Sequence, residues 1–193
     1  LFNIPLALRL SGKLNTGALG RALTEIARRH DIMRTTFASL GDRPAQVIAP
    51  PAEVVLPVTD LSQLDERERE DRACLLAREE AQRPFDLMRG PLWRASLLRL
   101  GESEHVALFT MHHIISDAWS MTVLVKELCA CYGALSEGRE SSLPELKIQY
   151  ADYACWQRQY LTGAVLQNHL TYWKRQLGGK LPVLNLPTDH PRP

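Results

Sequence analysis

An α/β fold with a mixed β-sheet flanked by helices is what this 193-residue sequence predicts. Three observations carry the prediction. Short segments alternate apolar and polar residues, the period of a strand; longer ones space apolar residues three and four apart, the period of a helix; and the two kinds are interspersed, with tight turns between some neighbouring strands. Apolar residues are 45% of the chain and charged ones 23%, the balance of a soluble globular protein.

The elements follow in order. Leu6, Leu8 and Leu10 alternate with Ala7 and Arg9, a strand ending at "SGKLN". Ala18, Leu19, Ala22, Leu23 and Ile26 recur at helical spacing to about Arg29, with Asn15 or Thr16 as N-cap. "MRTTFASL" and "AQVIA" read as strands around the turn "GDRP", a hairpin over residues 33 to 49. Asp60 is expected to cap a helix from about Leu61 to Gln82, whose mixed-sign run from Asp65 to Arg72 is the pattern of a solvated face. "PLWRASLLRL" and "HVALFTMHH" give two strands around "GESE". A helix from about Trp119 to Leu135 then carries Val123, Leu124, Leu128 and Tyr132 on an apolar stripe. "YADYACWQRQYL" and "AVLQNHLTYWKRQLGG" are two further helices, and the tail from Leu181 is proline-rich, as in an extended linker.

Twenty-three basic against 22 acidic side chains leave a net charge of +1, which supplies no bulk attraction for nucleic acid or an anionic membrane. No window holds the roughly 18 apolar residues of a membrane span, and the first residues lack the pattern of a secretory signal. A cytoplasmic location is expected. Cys74, Cys129, Cys131 and Cys155 form no CxxC pair and are expected to be reduced and mostly packed.

The stretch "MHHIISDAWSM", Met111 to Met121, is either a catalytic centre or a buried polar cluster at the end of a strand. A histidine suits acid and base work because its ordinary pKa, about 6.5, lies near working pH. If the strand runs through both histidines, His112 and His113 point to opposite sides, and periodicity does not say which faces solvent. Asp117 either orients an imidazole or pairs with an arginine inside the protein. Divergent neighbouring histidines, with no HExxH and no further ligands at coordinating distance in sequence, do not make a metal site.

Three stretches, "RHDIMRTTF" (Arg29 to Phe37), "MHHIISDAWS" (Met111 to Ser120) and "YADYACW" (Tyr150 to Trp156), occur in this order. Together they resemble signature motifs of the condensation domains of nonribosomal peptide synthetases, and "YWKRQLGGKLPVLNLPTDHPRP" is similar to that family's passage between lobes. The resemblance implies a chloramphenicol acetyltransferase-like fold of two α/β lobes with a tunnel between them. Residues 1–180 correspond to the amino-terminal lobe, incomplete at its start, and 181–193 to the passage towards the carboxy-terminal lobe. The implied reaction is amide formation between a carrier-bound acyl or peptidyl thioester and a carrier-bound aminoacyl thioester. The lobe itself binds no cofactor; substrates ride on the phosphopantetheine of upstream and downstream carrier proteins, beside an adenylation domain. One lobe alone is expected to be inactive.

The same resemblance makes His113 the catalytic residue and His112 a packing or hydrogen-bonding neighbour. Asp117 is then structural, paired with Arg34 or, alternatively, Arg29, while Trp119 and Ser120 shape the tunnel wall. Tyr150, Asp152, Tyr153 and Trp156 are expected in helix packing and lobe contacts. Ala118 stands where the family usually has glycine; if that position needs positive φ, alanine is strained there by about 1 kcal/mol. An epimerization domain and a non-catalytic platform that recruits partner proteins are the rival readings.

Overall fold

The computed structural model describes residues 2–141, 143–183, 186–187 and 189–190. Part of the proline-rich passage, residues 184, 185, 188 and 191–193, lies outside them. The chain divides into two compact units, Leu1–Ala151 and Asp152–Pro193, so the boundary expected at residue 180 falls within the second.

The first unit is built on a four-stranded sheet. Its strands are β1 (Asn3–Ser11), β4 (Val58–Asp60), β5 (Trp93–Arg99) and β6 (Glu104–His112), in the order β1-β6-β5-β4. β6 runs antiparallel to both neighbours, and β4 lies parallel to β5, which makes the sheet mixed. A separate hairpin pairs β2 (Thr35–Leu40) with β3 (Arg43–Ile48). Arg43 and Pro44 are thus strand residues, and the turn contracts to Gly41 and Asp42, where Gly41 has φ of 62°.

Alternation along β6 explains how the sheet is covered. Ala107, Phe109 and Met111 join Leu19, Leu23 and Ile26 of α1 (Thr16–Arg29) and Leu124 and Leu128 of α3 (Ala118–Ser136) in the main core. Leu108, on the opposite face, meets Leu98, Leu100 and Ala73 of α2 (Glu66–Gln82) in a second cluster. Both faces are therefore covered along the middle of β6, while its end residues Glu104 and His112 stay partly exposed. Burial of a Leu or Phe contributes on the order of 1.5–3 kcal/mol, so this strand is held from two sides.

Local signals set the helix starts. Asn15 caps α1, accepting from Ala18 N at 2.9 Å. Asp60 does not cap α2: it ends β4 and closes a turn by accepting from Ser62 N, while Asp65 accepts from Glu68 N and starts the helix. The charged residues that look helical from Leu61 onward include a short strand-to-helix connection. The solvated face of α2 is as expected, with Arg9 reaching Glu70 at 2.7 Å.

The thiols depart from expectation. Cys131 is buried, whereas Cys74 and Cys129 are exposed because their helices turn those positions away from the core, and Cys155 is exposed as well. In the second unit, α4 (Tyr150–Tyr160) begins just before the division and α5 (Gly163–Leu177) follows; neither has a buried residue. Tyr153, Trp156 and Tyr160 lie along one side of α4 at helical spacing, with Trp156 stacked on Tyr160 at 5.0 Å. The rings of Tyr153, Trp156 and Tyr160 pack on one another and stay exposed.

Candidate active site

The motif sits where the central strand stops. His112 is the last residue of β6 and donates its backbone N–H to Leu92 O at 2.8 Å, on the β5 side. His113 donates to Phe2 O at 2.7 Å, on the β1 side. Two neighbouring segments thus hold the two backbones, but the strand ends between them, so strict alternation no longer governs the second histidine. Ile115 turns back into the core, donating to His112 O at 3.0 Å, and Ser116 Oγ donates to the same carbonyl at 3.3 Å.

The two imidazoles have opposite roles. His112 is half-buried, its ring 6.1 Å from those of Phe2 and Phe85. Its Nδ1 faces the backbone N–H of Ile114 at 3.0 Å and must accept. Burial holds its pKa below the ordinary histidine value, and the neighbouring His113 adds to that. His113 is exposed, with Nδ1 2.8 Å from Ser116 O. A carbonyl only accepts, so Nδ1 carries the proton, and in the neutral ring Nε2 holds the free lone pair. That is the atom a base needs.

Among the described residues, no arginine pairs with Asp117. It is exposed at the N-cap of α3, where its carboxylate accepts from Ser120 N at 2.8 Å and Ser120 Oγ at 2.7 Å. These bonds from Ser120, assisted by the helix start, hold its pKa below the usual carboxylate value. The two arginines expected to pair with it are engaged elsewhere. Arg34 pairs with Asp31 and donates to the carbonyls of Ala27 and Ala49. Arg29, only 5% exposed, meets Glu127 at 3.1 Å and donates to Pro144 O. A local cap satisfies Asp117 within one turn and leaves it with no need of a distant cation.

Ala118 opens α3, and among the described residues no residue other than glycine has positive φ. The strain considered for alanine does not arise. Trp119 is 78% exposed, and Ser120 is occupied by the cap.

Sequence reasoning missed Glu127. Its carboxylate binds Arg29 and, at 2.6 Å, His30 Nε2. Burial raises its pKa, but the hydrogen bonds from His30 and Arg29 and their charge outweigh this, and the net shift is downward. The signal was available: Glu127 lies three residues after Leu124 and four before Cys131, both buried, so helical spacing turns it inward. A carboxylate there calls for a cation. Ser116 left no such signal, because its contribution is a backbone carbonyl.

Among the described residues no helix is long and apolar enough to cross a membrane, and no three potential ligands stand together as a metal site.

A family model described as Condensation domain matches residues 1–193. Chondramide synthase cmdD of Chondromyces crocatus is 47% identical over 192 residues, and the chain spans 5% of it. Phosphinothricin tripeptide synthetase PhsB of Streptomyces viridochromogenes is 42% identical over 191 residues, of which the chain spans 16%. Among solved structures, the X-domain from teicoplanin biosynthesis, seen in complex with OxyB, is 37% identical with a TM-score of 0.84. The match covers all of this chain and 42% of that one, the amino-terminal lobe.

Proposed function

The chain belongs to the condensation domains of nonribosomal peptide synthetases, and from that membership we propose that it contributes His113 as the base for amide formation between two carrier-bound thioesters. The observation that carries the reading is the exposed His113 ring, with Nδ1 held 2.8 Å from Ser116 O, which in the neutral ring leaves the Nε2 lone pair free.

The amine of the acceptor aminoacyl group attacks the donor's thioester carbonyl. As the C–N bond forms, one amine proton passes to Nε2 of His113. The tetrahedral adduct then expels the donor's thiolate, which takes the proton back, leaving a new amide on the acceptor carrier and a free thiol on the donor carrier. Thioester aminolysis is downhill, so positioning two tethered substrates supplies much of the acceleration, and a sparse site with one base is sufficient. Both substrates arrive on phosphopantetheine arms of carrier proteins, and the carboxy-terminal lobe closes the tunnel; one lobe alone forms no amide. The reaction takes place in the cytoplasm.

A second reading is a recruiting platform, favoured by the complex that the X-domain of teicoplanin biosynthesis forms with OxyB. The test restores the second lobe and both carriers, loads them with aminoacyl groups and follows the acceptor by intact-protein mass spectrometry. Dipeptide on the acceptor that falls about 10²- to 10⁴-fold in His113→Ala supports the base role. Dipeptide formation unchanged by the substitution refutes it. Inverted stereochemistry without amide would indicate epimerization, and no product of either kind would favour the platform.

A further inference from the structure

Residues 113–116 connect the end of β6 to the cap of α3, and three of them are bonded to His112. Ile114 N–H donates to the ring Nδ1 at 3.0 Å, Ile115 N–H to the backbone carbonyl at 3.0 Å, and Ser116 Oγ to the same carbonyl at 3.3 Å. His113 is fastened from the far end of the turn, with Nδ1 2.8 Å from Ser116 O. The turn that sets the tautomer of the base is thus wound around His112. We propose that His112 is a positioning residue acting through one atom: its Nδ1 accepts from Ile114 N–H and so closes the turn that brings Ser116 O onto His113. This role rests on the amide-forming reading and goes beyond it by naming a second side chain on which the base depends.

Of the three bonds, only the one from Ile114 depends on the side chain, because any residue at 112 supplies the backbone carbonyl. The imidazole plane is set by its neighbours: the Phe2 ring stands 6.1 Å away at 47° and the Phe85 ring 6.1 Å away at 84°, edge-on. A backbone N–H only donates, so Nδ1 is unprotonated and the neutral His112 ring carries its proton on Nε2. The two adjacent histidines are therefore held in opposite tautomers, His112 as acceptor and His113 as donor at the same ring position. Without the Nδ1 acceptor, Ile114 N–H turns to water and the link between His113 and Ser116 loosens. A displacement of about 1 Å at such a site can cost about 10²-fold in rate. The tautomer is lost as well. Released from Ser116 O, a neutral imidazole favours its proton on Nε2, as it does in water, and that nitrogen then has no lone pair to offer an amine.

Two substitutions separate the acceptor from the ring. His112→Asn puts an amide oxygen on Cγ, where Nδ1 stands, and removes the ring; His112→Phe keeps a ring between Phe2 and Phe85 and removes the acceptor. With the second lobe and both loaded carriers present, single-turnover amide formation is timed by mass spectrometry over a range of acceptor-carrier concentrations. The saturating rate should stay within about threefold of the parent in His112→Asn and fall about 10- to 100-fold in His112→Phe, with the half-saturating concentration unchanged in both. Nitrogen-15 histidine spectra, taken well above the ordinary histidine pKa and assigned by the signals lost in His113→Gln, report the tautomer directly. The Nδ1–H form of His113 should dominate in the parent and in His112→Asn and give way to Nε2–H in His112→Phe, a change that loss of packing alone would not bring. If His112→Phe fails to fold by circular dichroism, His112→Asn decides: rate and tautomer both kept support the role, and either one lost overturns it. A parental rate in His112→Phe, or His113 as Nε2–H in the parent, would also overturn it while leaving amide formation standing. No amide from the parent, or a rate indifferent to His113→Ala, would overturn the base reading itself, and the role of His112 with it.

Discussion

Glu127→Ala isolates the ion cluster that ties α1 to α3. Arg29 is 5% exposed and Glu127 13%, with nitrogen and oxygen 3.1 Å apart and His30 on the same carboxylate. Removing one partner of a buried pair costs about 3–5 kcal/mol, chiefly because the other charge stays buried. Arg29 keeps its hydrogen bond to Pro144 O, which places the expected loss at the lower end, about 3 kcal/mol, or roughly a hundredfold in the unfolding constant. Urea denaturation followed by far-ultraviolet circular dichroism measures it. Arg29→Met with Glu127→Leu should recover most of the loss, since matched apolar replacement of a buried pair is often neutral or better. The pH dependence has a fixed sign: the folded carboxylate titrates below its unfolded value, so its contribution is present above the unfolded carboxylate pKa and is lost as pH falls through the folded one. A loss under about 0.5 kcal/mol in Glu127→Ala, or a double variant no better than the single, would refute the view that the cluster holds these helices together.

Other predictions follow from the site. Asp117→Ala should lower Tm, whereas Asp117→Asn, which keeps the cap, should leave it unchanged; equal losses in both would revive a charge partner for Asp117. Ala118→Gly should bring no gain in turnover from relieved strain and should lower stability by less than about 1 kcal/mol, read from the same denaturation curves. His105 and His112 both have pKa values lowered by burial, so the unfolded chain binds more protons below the ordinary histidine value. Stability should then fall as pH drops through that value, by at most about 1.4 kcal/mol per pH unit for each histidine, and His105→Gln should flatten the slope.

The scaffold was legible in the sequence because burial leaves periodic traces. The alternation of Ala107, Phe109 and Met111 marks β6, and the spacing of Ala18, Leu19, Ala22 and Leu23 marks α1. Capping was harder to read. Asp60 and Asp65 carry the same side chain five residues apart, and only pairing of Val58–Asp60 with β5 decides that the first ends a strand. The site divides in the same way. The two histidines are visible as residues, but the tautomer of His113 depends on a carbonyl that every residue type possesses. The Asp117 cap was overlooked in favour of a distant arginine, although Ser120 three residues on supplies the local alternative.

Placing the two histidines at the end of β6 also has a consequence for how the domain can diversify. β6 is flanked by β1 and β5 and covered on both faces, so its amide protons should exchange with solvent only on opening of the whole unit. His113, the proposed base, inherits that slow-exchanging anchor, while its surroundings are a turn and a helix start. Substitutions there can retune which groups approach Nε2 without shifting the strand that delivers it, so that, on the proposed function, substrate preference can vary while the proposed base is retained.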